Sequence, residues 1–358
     1  MTTDLLLLDN DDVAGVLDLD DCMAALERAY GALADGNLIE RARSQTRVPL
    51  AEPDVSYCFK SMEGALVGDG YMTLRITSDA VFEGRVDGKA RRNKLARGPG
   101  GTYCGLIFVF STASLAPVAI IHDGLIQLVR VACTSALSVR LLAREDAAVL
   151  GLIGAGQQAW WHLKAAHAVR GLREIRIYSP NAERRQAFAA RAAVELGIAV
   201  NAVDSARAAV ADADIVIAAT NASEPVLDGC WLAPGTHVVS IVSGDKGSTR
   251  RELDDETMRR AALVVAHSRA GAIEHGNGDL AGPVAAGILS WEKIVDLPEL
   301  VAGTAPRRGR RDDITVFKNN GGTGLQFAAV APVVYERARE AGVGRKLPAA
   351  WFLEKMQS

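Results

Sequence analysis

Near the middle of the chain the sequence reads Ala147-Ala148-Val149-Leu150-Gly151-Leu152-Ile153-Gly154-Ala155-Gly156-Gln157-Gln158-Ala159. The apolar run predicts a buried strand, and the G-x-G-x-x-A pattern after it opens a predicted helix over residues 158–169. In such a motif Gly154 permits a tight turn, Gly156 lets the backbone approach a pyrophosphate, and Ala159 lets helix and strand pack closely. The helix N-terminus offers amide donors to phosphate. The pattern predicts a dinucleotide site that comprises Gly154, Ala155, Gly156, Gln157, Gln158 and Ala159.

Strand-like and helical segments alternate from residue 146 to residue 267. Further strands are predicted at 174–178, 198–203, 214–219, 237–242 and 262–266. Alternation of this kind predicts a Rossmann-type, doubly wound parallel sheet within an α/β fold. The flanking segments differ, with strand-like runs before residue 140 and a predicted helix at 324–341. We therefore predict a dinucleotide-binding domain at 141–319, inserted into a second, α+β substrate-binding domain built from 1–140 and 320–358.

The composition indicates a globular protein with a small-molecule partner. The 358 residues carry a net charge of -3, and 49% are hydrophobic. The chain has no block of like charge or low-complexity tract, which argues against nucleic-acid binding and disorder. The N-terminal residues lack the basic region of a secretory signal, and the apolar stretch at 103–121 is interrupted by polar residues and proline. We expect a cytoplasmic protein without membrane association.

The five cysteines, at positions 22, 58, 104, 133 and 230, are dispersed. They form no C-x-x-C pair and no regular pattern with histidine. We therefore expect buried thiols, with neither a disulfide framework nor a metal site.

The end of the second predicted strand bears on the choice between NAD and NADP. An NAD site is expected to place an acidic residue there, but the sequence reads Tyr178-Ser179-Pro180-Asn181-Ala182-Glu183-Arg184-Arg185. Ser179, Asn181, Arg184 and Arg185 could hold a ribose 2′-phosphate, so NADP is preferred over NAD. Alternatively, Arg184 and Arg185 are solvated on the first turn of a helix. Thr220, after the strand predicted at 214–219, completes the predicted cofactor set.

Basic residues are concentrated between positions 85 and 97, and a Gly-Pro-Gly-Gly run follows at 98–101. The simplest interpretation is a solvated, mobile loop. The alternative is a basic lid over an anionic substrate or a cofactor phosphate.

Several motifs together resemble the ornithine cyclodeaminase/mu-crystallin family. Besides the glycine motif, they are Val129-Arg130-Val131-Ala132-Cys133-Thr134-Ser135-Ala136, Trp231-Leu232-Ala233-Pro234-Gly235-Thr236-His237, Ser243-Gly244-Asp245 and Arg251-Glu252-Leu253-Asp254. The resemblance spans about residues 20–345. It implies an inserted Rossmann domain, a substrate domain that also forms a homodimer, and hydride transfer between nicotinamide and an amino acid or its imino acid.

The resemblance also assigns roles to single residues. Asp245 matches the family's catalytic aspartate, which moves protons at the substrate nitrogen, although an Asp after Gly is more often a turn former. Arg130 and Arg47 match positions that bind the substrate carboxylate, where a guanidinium can form paired hydrogen bonds. Without the resemblance, each arginine would be interpreted as a surface ion-pair partner.

Three positions depart from the family pattern. Arg75 stands where many members carry a lysine, and it can bind carboxylate but cannot readily release a proton. Lys60 stands where the ornithine enzymes carry a glutamate, and it should repel a distal amine. Val131 replaces the usual threonine after the arginine.

Lys60, Arg75 and the basic residues at 85–97 together favour a substrate with an extra carboxylate or another anionic group over a cationic one. The predicted function is an NAD(P)-dependent oxidoreductase that interconverts an α-amino acid, or secondary amine acid, and its imino acid, with NADPH-linked reduction of an anionic imine preferred. One alternative is an ornithine cyclodeaminase-type ammonia-lyase that recycles NAD internally. Another is a non-catalytic NADPH-binding protein like mu-crystallin.

Overall fold

A computed structural model describes residues 4–86, 89–242, 250–319 and 322–355. The first part of the chain is rich in strands. It comprises β1 (Asp4–Leu8), α1 (Asn10–Val16), α2 (Leu19–Ala34), β2 (Leu38–Glu40), β3 (Ser44–Pro49), β4 (Val55–Leu66), β5 (Tyr71–Val86), β6 (Lys89–Leu95), β7 (Cys104–Ser111), β8 (Pro117–His122) and α3 (Asp123–Leu142).

The middle of the chain alternates strands and helices. It comprises β9 (Val149–Ile153), α4 (Gln157–Val169), β10 (Glu174–Tyr178), α5 (Ala182–Leu196), β11 (Ala199–Ala202), α6 (Ala206–Val210), β12 (Ile215–Ala218), β13 (His237–Ser240), α7 (Asp255–Arg260), β14 (Ala261–Ala266), α8 (Arg269–His275), α9 (Gly278–Ala285), β15 (Val295–Asp296), α10 (Leu297–Val301) and β16 (Ile314–Lys318). Helix α11 (Gly324–Ala341) and strand β17 (Arg345–Pro348) follow. Short 3-10 helices lie at Gly229–Trp231, Trp291–Lys293 and Ala349–Phe352.

The chain divides into two compact units. One contains residues 1–130 and 322–358, and the other contains residues 131–321. The chain thus leaves the first unit within α3 and returns to it shortly before α11.

The unit of residues 131–321 contains a parallel sheet in the order β11-β10-β9-β12-β13-β16-β14-β15. Strands β9, β10 and β11 follow one another toward one edge, and β12 and β13 lie on the other side of β9. The strand order therefore reverses between β9 and β12, the switch point where open α/β sheets bind ligands. Strands β12 and β13 are buried along their whole length, as expected for a sheet covered by helices on both faces.

The unit of residues 1–130 and 322–358 contains a mostly antiparallel sheet in the order β17-β1-β8-β7-β5-β4-β2. Strand β3 adds to β4, and β6 adds to β5. Helix α11 approaches β4 closely where two glycines meet, since a Cβ on Gly64 would lie 2.7 Å from the carbonyl carbon of Gly324. The side of the sheet covered by α11 is called the inner face below.

Two expectations from the sequence were wrong. Most of the basic stretch at 85–97 is not a loop, because Lys89–Leu95 form β6, paired with β5 in antiparallel register. The missed signal is the Asp87-Gly88 dipeptide, typical of a hairpin connection, which lies outside the described residues. Cys104 and Cys230 are exposed, whereas the other cysteines are buried.

Among the described helices, α3 alone is long and apolar enough to cross a membrane. Its most apolar window is 67% buried within the protein, which is typical of a core helix.

Candidate active site

The glycine motif forms the turn between β9 and α4. Gly154 has φ +121°, and a Cβ at this position would overlap the carbonyl oxygen of Ala219. Gly156 is the N-cap of α4, and a Cβ there would point into open space. Ala159 is fully buried. The turn therefore requires glycine at 154 and leaves room at 156 for a pyrophosphate beside the first amides of α4, so these residues fit a dinucleotide.

A cavity of about 480 Å³ lies beside this turn. Its lining residues are Ala155, Gly156, Gln157, Trp160, Arg184, Ala187, Phe188 and Arg191. The structure thus brings Arg184 to the glycine motif, as a site for a charged cofactor group requires. Sequence analysis missed Arg191, whose guanidinium stacks 3.6 Å from the centroid of the Trp160 ring.

The remaining residues after β10 have local structural partners. The Asn181 side chain caps α5 by accepting from the amide of Arg184 (2.8 Å). The Ser179 hydroxyl donates to the carbonyl of Asn181 (3.3 Å). Arg185 forms an ion pair with Asp204 (2.6 Å) and donates to the carbonyl of Ser179. Arg184 and Arg185 therefore have different surroundings, and Arg184 is the one that lines the cavity.

Thr220 is hydrogen-bonded to a buried polar network that lies at the carboxyl ends of β12, β13 and β16. Its amide and hydroxyl donate to Glu252 Oε1 (2.6 and 2.8 Å). Glu252 Oε2 accepts from the amides of Ile241 and Val242 and lies 2.7 Å from the Ser240 hydroxyl. The carboxylate of Glu252 therefore joins the ends of two neighbouring strands.

Asp279 and Lys318 complete this network. Asp279 Oδ1 accepts from the amides of Glu252 and Leu253, and Asp279 Oδ2 lies 2.6 Å from Lys318 Nζ. Sequence analysis did not identify these residues. The available signal was a lysine at the end of an otherwise apolar strand, Ile314–Lys318.

His162, a buried residue of α4, is hydrogen-bonded to the carbonyl of Gln158 in the glycine motif. Its Nδ1 lies 2.7 Å from the carbonyl of Gln158, its Nε2 lies 3.0 Å from the Ser135 hydroxyl, and Asn319 donates to that hydroxyl. Burial lowers the pKa of His162 to about 4. The imidazole is therefore neutral at pH 7, with Nδ1 donating to Gln158 and Nε2 accepting from Ser135.

Predicted substrate residues lie on the inner face of the other unit. Residues that are directly opposite each other on neighbouring strands share a face of the sheet. Across β3, β4 and β5, Arg47 is aligned with Cys58 and Asp79. Across β4 and β5, Lys60 is aligned with Thr77 and Met62 with Arg75. Sequence analysis missed the polar face of β5. Its signal is an alternating pattern, in which every second residue is polar or charged: Thr73, Arg75, Thr77 and Asp79. The inner face therefore carries a buried polar array.

Arg75 and Arg130 form one cationic cluster. Arg75 Nε lies 2.9 Å from Asp123 Oδ2, and both guanidinium groups lie over the Phe327 ring, at 5.2 and 5.0 Å from its centroid. Arg130 also donates to Gln326. Burial and the neighbouring Arg75 lower the pKa of Arg130 to about 10. Two guanidinium groups therefore lie close together in a buried position, a type of site that can bind an anionic group.

Lys60 and Arg47 also have acidic partners. Lys60 Nζ lies 3.8 Å from Asp79 Oδ2, and Lys94 Nζ lies 3.0 Å from the same oxygen. Arg47 forms a bidentate ion pair with Glu83. The inner face thus gathers Arg47, Lys60, Arg75 and Arg130 in one unit. Asp245, the predicted catalytic residue, lies outside the described residues.

The sequence profile of the ornithine cyclodeaminase/mu-crystallin family matches residues 6–342. The chain belongs to this family. The match covers both units and confirms the family predicted from the motifs.

Relatives within the ornithine cyclodeaminase/mu-crystallin family include imine reductases. Delta(1)-pyrroline-2-carboxylate reductase of Paracoccus denitrificans is 38% identical over 229 residues, which cover 63% of this chain and 71% of that protein. Iminosuccinate reductase of the same organism is 32% identical over 244 residues, covering 67% and 72%.

The fold also matches a solved structure with a bound cofactor. Thermococcus litoralis Delta(1)-pyrroline-2-carboxylate reductase, in complex with NADH and L-proline, has a TM-score of 0.82 and 28% sequence identity. The match covers 96% of this chain and 100% of that chain. The predicted Rossmann-type α/β fold is confirmed.

Proposed function

We propose that this protein reduces an anionic imino acid to the corresponding amino acid with NADPH. The observation that carries the proposal is the cluster of Arg75 and Arg130, two buried guanidinium groups that both lie over the Phe327 ring, with Arg75 paired to Asp123. Such a cluster suits a substrate carboxylate. The names of the imine-reducing relatives support the same reaction class.

The residues of the glycine motif would hold the pyrophosphate, and Arg184 would contact the ribose 2′-phosphate. When bound, the reduced nicotinamide supplies a hydride to the imine carbon and becomes oxidised. Arg130 and Arg75 hold the substrate carboxylate and orient the imine carbon. Asp245 delivers the proton that the imine nitrogen takes up, so imine, hydride and proton together give the amine.

The test is loss of nicotinamide absorbance with purified protein, NADPH or NADH, and a panel of cyclic ketimines and 2-oxo acids with ammonia or methylamine. Rapid NADPH oxidation with an anionic imine supports the proposal. Ammonia release from ornithine without net cofactor change would instead identify a cyclodeaminase. Tight NADPH binding without either reaction would identify a binding protein.

Substitution of Asp245 tests its proposed role in proton transfer. Asp245→Asn should abolish turnover and leave NADPH affinity within a few-fold, because an amide cannot deliver the proton. Asp35→Asn, at an exposed aspartate after α2, is the matched control. Unchanged turnover of Asp245→Asn would remove Asp245 from the mechanism.

We further propose that the protein acts as a homodimer in the cytoplasm. The sheet face opposite the inner face is apolar and partly exposed, with Phe59, Leu74, Ile76, Phe108 and Phe110. A patch of this kind is typical of a protein interface. Light scattering of the purified protein measures its oligomeric state, and a monomer at micromolar concentration would contradict the proposal.

A further inference from the structure

The cavity beside the glycine turn has two walls of different chemistry. One wall is the first turn of α4, where the amide of Trp160 donates to the carbonyl of Gly156 (3.0 Å) and the three amides before it have no partner within the helix. No carboxylate is among the described residues that line the cavity. The cavity therefore suits an anionic ligand. The other wall is one face of α5, formed by residues at positions i, i+3, i+4 and i+7: Arg184, Ala187, Phe188 and Arg191.

Arg191 is held in place by an aromatic ring. Its guanidinium lies 3.6 Å from the centroid of the Trp160 ring, and this ring packs edge-on against Phe188, with 5.4 Å between the centroids. Trp160 is 5% exposed, so the ring itself is fixed in the protein. A stacked guanidinium uses its face and leaves the N–H groups at its edge for hydrogen bonds. The stack therefore presents these donors at a lower entropic cost than an unsupported arginine would.

The donors of both arginines are not used by the protein. Arg191 Nε lies 3.8 Å from Glu195 Oε2, which is longer than a hydrogen bond, and Glu195 pairs more closely with Lys164 (2.6 Å). The side chains of Arg184 and Arg191 form no hydrogen bond among the described residues. Glu183, next to Arg184 on α5, does not line the cavity. Two guanidinium groups can therefore donate to an anion in the cavity.

A second cation on an indole ring lies on α4, outside the cavity. Lys164 Nζ lies 5.1 Å from the centroid of the Trp161 ring and pairs with Glu195. Neither Lys164 nor Trp161 lines the cavity. The same type of contact thus occurs with and without an adjoining cavity, so Lys164 and Trp161 provide matched controls.

We propose that Arg191 is a second specificity-determining residue of the cofactor site, that it binds the ribose 2′-phosphate together with Arg184, and that Trp160 is its positioning residue. The ligand class is an adenosine nucleotide with a 2′-phosphate. Two guanidinium groups match the two negative charges that such a phosphate can carry. The inference rests on the proposed use of NADPH and adds the residues that select it.

The first experiment measures binding without catalysis. Calorimetry compares adenosine 2′,5′-bisphosphate with 5′-AMP, which differ only in the 2′-phosphate, and fluorescence titration compares NADPH with NADH. Arg191→Gln should weaken the 2′-phosphorylated member of each pair about tenfold and the other by less than about twofold, the effect expected of lost hydrogen bonds to a charged group. Lys164→Gln, which removes a cation beside the same carboxylate, should leave both ratios within about twofold of wild type. Equal effects of Arg191→Gln on both members of a pair would overturn the inference.

The positioning role of Trp160 is tested by the ratio of the NADH and NADPH dissociation constants, because a general loss of structure would weaken both cofactors. Trp160→Leu should lower this ratio about threefold, the effect expected of a lost cation–π contact, and Trp160→Phe should keep it within about twofold. Trp161→Leu is the matched control and should leave the ratio unchanged. An unchanged ratio in Trp160→Leu would overturn the positioning role.

If Trp160→Leu does not fold, Arg191→Lys tests the same contact from the other side. Lysine keeps the charge but lacks the flat guanidinium and its paired donors. A ratio lowered about threefold or more supports the role of the stacked arginine, and a wild-type ratio overturns it.

The outcomes separate this inference from the proposed function. If the wild type prefers NADPH and Arg191→Gln keeps that preference, the inference is overturned and the proposed function is intact. If the wild type binds NADPH and NADH equally, the inference is overturned together with the NADP preference, and imine reduction is then tested with NADH. If no imine is reduced but the 2′-phosphate preference depends on Arg191, the inference is supported and the proposed reaction fails.

Discussion

Lys318 Nζ lies 2.6 Å from Asp279 Oδ2, and both side chains are completely buried at the carboxyl ends of the parallel strands. The ammonium also donates to the Ser240 hydroxyl (2.8 Å), and the same network includes Glu252. Lys318 thus pairs directly with Asp279, and the Ser240 hydroxyl connects this pair to the carboxylate of Glu252. These carboxylates hold the amides of Ile241, Val242, Glu252 and Leu253.

Removal of the Lys318 charge should strongly destabilise the protein. Lys318→Met removes the ion-pair partner of the buried Asp279 carboxylate, and loss of one partner from a buried ion pair typically costs about 3–5 kcal/mol of unfolding free energy. Urea unfolding followed by circular dichroism measures this loss. Lys164→Met is the control, since Lys164 pairs with Glu195 in a partly exposed ion pair expected to contribute about 0–1 kcal/mol. Equal losses in the two variants would show that the buried network is not a stability centre.

Local sequence signals predicted the elements around this network but not the network itself. The glycine motif and the apolar periodicity placed β9, α4 and β10 within one or two residues, because each signal is contained in a short segment. Lys318 and Asp279, in contrast, are 39 positions apart and meet only after the sheet has formed. Neither residue has a neighbour in the sequence that indicates its partner.

The contacts of the predicted substrate-binding arginines could not be predicted from the sequence either. The family motifs indicated Arg130 and Arg75, but the partners Asp123 and Gln326 come from other segments of the chain. Hydrogen bonds between distant segments depend on strand register and helix docking, which residue types alone do not specify. The carboxylate-binding roles of these arginines therefore stay predictions.

Acid should destabilise the protein through His162. The folded pKa is about 4, below the ordinary value of 6.5, so protonation favours the unfolded chain. Its contribution is therefore fully present above pH 6.5 and is lost as the pH falls toward 4. At pH 5 the loss should be about 2 kcal/mol.

The measurement is the unfolding free energy of wild type and His162→Gln in urea between pH 7 and pH 5. The variant should lose less stability over this range than the wild type. His122→Gln, at an exposed histidine, should retain the wild-type slope. A His162→Gln slope identical to that of the wild type would show that His162 does not contribute to the pH dependence.

The two glycines of the nucleotide turn should respond differently to alanine. Gly154→Ala places a Cβ against the carbonyl of Ala219 in a backbone conformation that only glycine readily adopts, so it should lower stability. Gly156→Ala meets no atom within 4 Å, so the protein should fold normally and bind NADPH about tenfold or more weakly. Thermal unfolding and fluorescence titration with NADPH measure the two effects. Normal NADPH affinity in Gly156→Ala would place the pyrophosphate elsewhere.

Arg184 and Arg185 are adjacent in sequence but should differ in their effect on cofactor choice. Arg184 lines the cavity beside the glycine motif, whereas Arg185 is engaged by Asp204 and by the carbonyl of Ser179. Arg184→Ala should weaken NADPH about tenfold or more and NADH by less than about twofold, because only NADPH carries the 2′-phosphate. Arg185→Ala is the matched control and should leave the ratio of the two dissociation constants near its wild-type value. Equal weakening of NADH and NADPH by Arg184→Ala would remove the proposed contact to the 2′-phosphate and, with it, the structural argument for NADP.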